Sequence, residues 1–115
     1  MVRPRPGGEP FDPVALAEYK RCFRDPAAIH ATCEDYRAGA GIDLEHDTLS
    51  AGTKIACPLL VLWGRDGFVG RRYDPLAEWR RHAVDVRGEG LPRGHFLLDE
   101  SPHETLAALL PFLLG

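Results

Sequence analysis

The sequence lacks long apolar runs, which argues against a membrane-spanning helix. Its longest apolar stretch, Leu106 to Leu114, is interrupted by Pro111 and falls well short of the ~20 residues that cross a bilayer. The opening Met1-Val2-Arg3-Pro4-Arg5-Pro6-Gly7-Gly8 has no apolar core of the kind a secretory signal carries. Cysteine is scarce. Cys22, Cys33 and Cys57 are odd in number and widely spaced, which fits neither a zinc pattern nor a disulfide framework. Reduced, buried thiols and a cytoplasmic location are the expectation. There is no excess of positive charge either: the net charge of −3 argues against a nucleic-acid partner. The basic clusters Arg71-Arg72 and Arg80-Arg81-His82 lie among acidic neighbours and read as solvated faces. His30, His46, His82 and His103 have no metal-like spacing, so neither metal nor cofactor is implied. Finally, no G-x-S-x-G occurs, and no Asp, Ser or Cys is read in an equivalent glycine-flanked turn between a strand and a helix.

What is present is the composition of a small globular domain: 115 residues, 44% hydrophobic and 27% charged. Residues 1–10 are rich in Pro and Gly and read as an unstructured lead-in. Asp12-Pro13 and Asp25-Pro26 each set an N-capping side chain before a proline suited to the first helical position. Leu16, Tyr19 and Phe23 then form one apolar stripe, and Ile29, Cys33 and Tyr36 form another, with a pause at Gly39. A short helix is predicted over 42–49, closed by Gly52. The pattern changes at Pro58. Leu59-Leu60-Val61-Leu62-Trp63 is an uninterrupted apolar run stopped by Gly64, suited to a strand covered on both faces. A helix is predicted over 75–83, a weaker strand over 84–86, and a loop from Gly88 to Gly94. Ser101-Pro102-His103-Glu104 matches a capping box that opens a last helix over 102–114, kinked or stopped at Pro111.

The order is helices, then strand, helix, strand, loop, helix, so the class is α/β. Two parallel strands alone make an incomplete sheet, because both are edges. The chain presupposes more strands than it contains.

Three stretches resemble the haloacetate (fluoroacetate) dehalogenases of the α/β-hydrolase superfamily. They are Cys33-Glu34-Asp35-Tyr36-Arg37-Ala38-Gly39-Ala40, then Cys57-Pro58-Leu59-Leu60-Val61-Leu62-Trp63-Gly64, then Gly94-His95-Phe96 followed by Asp99-Glu100. Asp43-Leu44-Glu45-His46-Asp47 also lies where that family has a similar run. The first and last stretches are the more specific, since strands ending in Leu-Trp-Gly and Gly-His pairs occur widely in the superfamily. The resemblance covers the chain from about Phe11 onward and implies its C-terminal portion: residues 11–54 the end of a helical cap, residues 55–115 the end of the core. The family's nucleophilic aspartate would then precede Met1.

By that resemblance His95 is the base that takes a proton from water, which then attacks an aspartyl ester left by halide expulsion. An unperturbed pKa of ~6.5 suits histidine to this step. Read from the residues alone, His95 is a loop histidine hydrogen-bonded to backbone. The family takes the carboxylate partner of its histidine from an earlier strand, so Asp66, after the apolar run, is read as a turn residue, with the role of acid as its alternative. Tyr36 would bind the departing halide from the cap side, since a phenol can donate to an anion in a poorly hydrated pocket. Its alternative is a core-facing aromatic on the helix stripe. Trp63 and Trp79 read as packing residues, His30 and His46 as possible cap-lining groups, and Asp35/Arg37 and Glu45/Asp47 as charge groups that could pair on the surface.

The resemblance implies a fragment of a hydrolytic dehalogenase acting on a small haloacid such as fluoroacetate or chloroacetate, inactive as this chain alone. A second reading is an epoxide hydrolase-like fragment, with Tyr36 and Tyr19 as the donors to the epoxide oxygen. A third is a non-catalytic short protein that covers its sheet edges by self-association, as a homodimer for example.

Overall fold

The computed structural model describes residues 11–115; the lead-in expected over residues 1–10 lies outside them. The chain divides into two compact units, one over Asp12–Thr53 and the other formed chiefly by Lys54–Gly115.

The first unit is three helices, α1 (Pro13–Cys22), α2 (Pro26–Gly39) and α3 (Ile42–Leu49). Both expected caps form. The Asp12 carboxylate accepts from the amides of Val14 and Ala15 at 2.9 and 3.1 Å, and that of Asp25 accepts from Ala27 at 2.9 Å. Each satisfies amide protons that the first helical turn leaves without an intrahelical acceptor. None of the three helices has a buried residue, so the stripes Leu16/Tyr19/Phe23 and Ile29/Cys33/Tyr36 are amphipathic faces without full cover. Arg37 pairs with Glu34, one helical turn away, rather than with Asp35. The thiols of Cys22, Cys33 and Cys57 are free but exposed, not buried as expected.

The second unit is built on one parallel ladder. Strand β1 (Leu59–Gly64) pairs with β2 (Val86–Leu91) in the register Leu59↔Val86 through Gly64↔Leu91, and a parallel bridge between Ile55 and Ala83 lies before it. The connection carries two short helices, α4 (Phe68–Arg72) and α5 (Pro75–Arg80), and α6 (Leu97–Glu100) and α7 (Pro102–Leu114) follow β2. Helix α5 packs against both strands and α7 against β1. Among the described residues the buried apolar side chains are Val61, Pro75, Ala83 and Leu91. Full burial of a Val or Leu contributes about 1.5–3 kcal/mol, so this core is thin.

Two boundaries differ from the sequence expectation. The second strand occupies Val86–Leu91, where its glycines suggested a loop. Those glycines are needed by the ladder: a Cβ on Gly88 would lie 1.9 Å from the carbonyl oxygen of Val61, and one on Gly90 would lie 2.9 Å from the Trp63 indole nitrogen. Helix α5 stops at Arg80 rather than 83, because Ala83 is drawn into the bridge with Ile55. Helix α7 has the expected span, Pro102–Leu114, and Pro111 lies within it rather than stopping it. The capping box does not form. Ser101 makes no side-chain cap; its hydroxyl instead donates to the carbonyl oxygen of Pro92 at 2.7 Å.

Among the described residues the sheet has two strands, so each strand keeps one unpaired edge. Nineteen large hydrophobic side chains among the described residues are also exposed, enough to favour association. The midpoint of thermal unfolding is therefore expected to rise with protein concentration. Scanning calorimetry across a hundredfold dilution series checks this, and a concentration-independent midpoint contradicts it.

Candidate functional site

The loop from Pro92 to Phe96 leaves the C-terminal end of β2 and is fixed at almost every backbone position. The amide of Arg65 donates to the carbonyl of Leu91 at 2.9 Å and that of Asp66 to Arg93 at 3.0 Å, tying the loop to the residues that follow β1. The Ser101 hydroxyl holds Pro92. The amides of Gly94 and Phe96 donate to the two oxygens of the Glu100 carboxylate at 3.0 and 3.1 Å. Below Ser101, Thr105 donates its hydroxyl to the Ser101 carbonyl at 2.7 Å. Glu100, Ser101 and Thr105 are the buried polar residues of the unit, and all three are spent on this loop and the turn that follows it.

Steric fit adds to the hydrogen bonds. A Cβ on Gly64 would stand 1.6 Å from the carbonyl oxygen of Gly94, and one on Gly67 would stand 3.3 Å from the amide nitrogen of His95. The backbones at the ends of β1 and β2 therefore touch, which only glycine permits. Arg93 has φ 119°, a conformation costing on the order of 1–3 kcal/mol that persists when surrounding structure over-determines it.

His95, between Gly94 and Phe96 on this fixed loop, is exposed. Its ring stands edge-on to Phe96, centroids 5.2 Å apart, and Phe96 stacks edge-on with Phe11 at 5.6 Å. Among the described residues the imidazole makes no hydrogen bond, so the backbone-bonded loop histidine weighed from sequence is not what the fold contains. The ring faces a cleft of about 440 Å³ lined also by Trp63, Trp79, Val69, Phe96 and Asp99. Trp63 and Trp79 were expected to be packing residues only; both border this cleft, and Trp79 is 42% exposed.

Asp66 requires a correction. Because α4 begins at Phe68, Asp66 does sit on a glycine-flanked strand-to-helix turn, Gly64-Arg65-Asp66-Gly67, which the sequence did not reveal because the five-residue helix is too short to show a period. Its amide serves the histidine loop, and its side chain is not hydrogen-bonded to His95. Tyr36 lies on α2 in the other unit and is 78% exposed, so it is not a core-facing aromatic. His30 and His46 are likewise exposed. Glu100 is the residue sequence reasoning missed. It stood within a stretch quoted for its resemblance, and a glutamate five residues after a loop histidine carries no local signal of a reach back to the amides on either side of it. Among the described residues no group of His, Cys, Asp and Glu is placed to hold a metal ion, and no helix is long and apolar enough to cross a membrane.

Comparison with known proteins agrees with this architecture. No protein-family model matches the chain. A fluoroacetate dehalogenase from Burkholderia sp is 41% identical over 107 residues, which are 93% of this chain and 35% of that protein. A crystal structure of ALR0039 from Nostoc sp PCC 7120, assigned to the α/β hydrolases, superposes with a TM-score of 0.86 at 62% identity, over 90% of this chain and 36% of that one. A Pseudomonas aeruginosa structure assigned as an epoxide hydrolase superposes with a TM-score of 0.81 at 39% identity, over 94% and 37%. The chain thus spans about a third of the length of the proteins it matches. Parallel ladder, loop histidine and these likenesses together define the class: the chain is a partial α/β-hydrolase fold. Within that superfamily it resembles the haloacetate dehalogenases.

The contact between strand ends is open to direct test. Gly64→Ala places a methyl group on the Gly94 carbonyl and is expected to cost about 3 kcal/mol, the upper range for overpacking, read as a lowered unfolding midpoint. An unchanged midpoint would show that the two loops do not meet as described.

Proposed function

We propose that the chain supplies the water-activating base of a hydrolytic dehalogenase that converts a haloacetate to glycolate and halide. The observation that carries this reading is a solvent-facing His95 on an over-determined loop, its imidazole hydrogen-bonded to none of the described residues and open to a cleft. The 41% identity to a fluoroacetate dehalogenase supports the substrate class. In this reading the remaining residues of a longer protein bring an aspartate nucleophile and the acid that orients His95, and the helical unit over residues 12–53 is the end of a cap.

The chemistry runs in two displacements. The aspartate carboxylate attacks the carbon bearing the halogen, the carbon–halogen bond breaks, and halide leaves with the electron pair. Tyr36 donates its phenolic proton in a hydrogen bond to that halide. His95 then takes a proton from water as the water oxygen attacks the ester carbonyl. Collapse of the tetrahedral adduct frees glycolate and returns the aspartate, and the imidazolium releases its proton to solvent. A base fixed in place contributes about 10²–10⁴-fold to such a step.

An epoxide hydrolase is the second reading, favoured by the assignment of the Pseudomonas aeruginosa structure. It uses the same ester hydrolysis and differs in the first step, where a tyrosine donates to the epoxide oxygen.

Two outcomes are expected. The 115-residue chain alone releases no halide from fluoroacetate or chloroacetate. A chimera in which the chain replaces the matched segment of the Burkholderia relative turns over, and His95→Asn in that chimera halts after a stoichiometric burst of halide, because the ester forms but is not hydrolysed. Ion chromatography for halide and intact mass for the trapped ester read both. Sustained turnover by the His95→Asn chimera would remove His95 from the mechanism. Tyr36→Phe in the same chimera is expected to slow halide release by about ten- to a hundredfold, the worth of a hydrogen bond to a charged group. A chimera that opens epoxides but releases no halide supports the second reading.

A further inference from the structure

Glu100 is a buried carboxylate, 5% exposed, with no ion-pair partner among the described residues. Burial of an unpaired carboxylate is costly unless hydrogen bonds satisfy it. Here one oxygen accepts from the amide of Gly94 and the other from the amide of Phe96, the residues immediately before and after His95. The approach is close: a Cβ on Gly94 would lie 2.9 and 3.0 Å from the two carboxylate oxygens. Glu100 is itself held by the amide bond it donates to the Phe96 carbonyl at 2.8 Å.

We propose that Glu100 is the positioning residue of His95, its carboxylate clamping the two flanking amides so that the histidine is carried on a fixed bridge. The inference rests on reading His95 as the base. A base must sit about 2.6–3.2 Å from the water it deprotonates, and a displacement of about 1 Å can cost on the order of 10²-fold in rate. Two charge-assisted bonds straddling one residue restrain the backbone dihedrals on both of its sides. They leave the imidazole itself free for water.

The test uses the 115-residue chain and needs no activity. Amide hydrogen exchange and the rate of His95 modification by diethyl pyrocarbonate are followed in the native chain, in Glu100→Gln and in Glu100→Met. In the native chain the Gly94 and Phe96 amides are expected to be protected at least tenfold over unprotected rates. Glutamine offers one acceptor oxygen and an opposing amide group, so one of the two amides loses its protection. Methionine, of similar volume and without acceptors, loses both, and His95 modification changes at least threefold. The Leu59 amide, bonded to the Asp85 carbonyl at 2.9 Å in the ladder, stays protected throughout. Native amides at Gly94 and Phe96 that exchange unprotected overturn the proposal. So does a Glu100→Met chain that matches native at all three readouts, which reduces Glu100 to a space-filler. Loss of protection at Leu59 in Glu100→Gln also overturns it, since the carboxylate then supports the whole unit rather than the loop. Failure of the chimera to release halide removes the dehalogenase reading and leaves these exchange rates unchanged.

Discussion

The two strand ends approach so closely that no side chain fits between them, and the rest of the unit is arranged around that contact. The carbonyl of Gly94 sits where a Cβ on Gly64 would be. Once the backbones touch, the amides of Arg65 and Asp66 meet the carbonyls of Leu91 and Arg93, and the loop that follows β2 is drawn against the turn that follows β1. The positive φ of Arg93 follows from this closure. So does the burial of Glu100, which lies beneath a loop whose amides would otherwise point into the protein without acceptors.

This arrangement concentrates order where the chemistry would be. Among the described residues of the unit, Val61, Pro75, Ala83 and Leu91 are the buried apolar side chains and Glu100, Ser101 and Thr105 the buried polar ones, and the polar ones all act on the His95 loop or the turn beneath it. A larger core usually carries such a loop passively. Here hydrogen bonds carry it, and each is worth about 0.5–1.5 kcal/mol net, or about 1.5–3 kcal/mol where a charged group takes part. The two bonds to the Glu100 carboxylate are of the second kind. They are the strongest single restraint on the histidine that the described residues provide.

The helix starts were legible in the sequence because their signals are local. Asp12-Pro13 and Asp25-Pro26 state a cap and a first turn within two residues, and both caps form. The apolar run from Leu59 was legible as a strand for the same reason. What escaped were the features set by partners distant in sequence. Gly88 and Gly90 read as loop residues because glycine carries no strand propensity, yet they lie in β2 because Val61 and Trp63 leave no room for a Cβ. Ser101 matched a capping pattern, but Pro92 offered its hydroxyl a nearer acceptor. The cysteines read as buried by composition, and the helices that hold Cys22 and Cys33 bury nothing at all. At the site, His95 was singled out by resemblance, whereas the bonds from its flanking amides to Glu100 were not, since they exist only once the loop turns back over α6.

The comparisons bring together proteins assigned to different reactions, a dehalogenase and an epoxide hydrolase among them, over the same third of their length. On the proposed reading, a physical reason for the shared segment is that both chemistries end in the same step. An ester on the enzyme must be hydrolysed by a water that a histidine deprotonates, and that step makes the same demand on the loop whatever group left before it. The two reactions part earlier, at the leaving group: a halide departs as a free anion, while an epoxide oxygen stays attached and needs a donor along its own trajectory. On the proposed reading, the residue that faces that difference is Tyr36, not His95. Its phenol is exposed on α2, in the unit over Asp12–Thr53, so on that reading the choice of leaving group and the hydrolytic base are carried by different segments of the sequence.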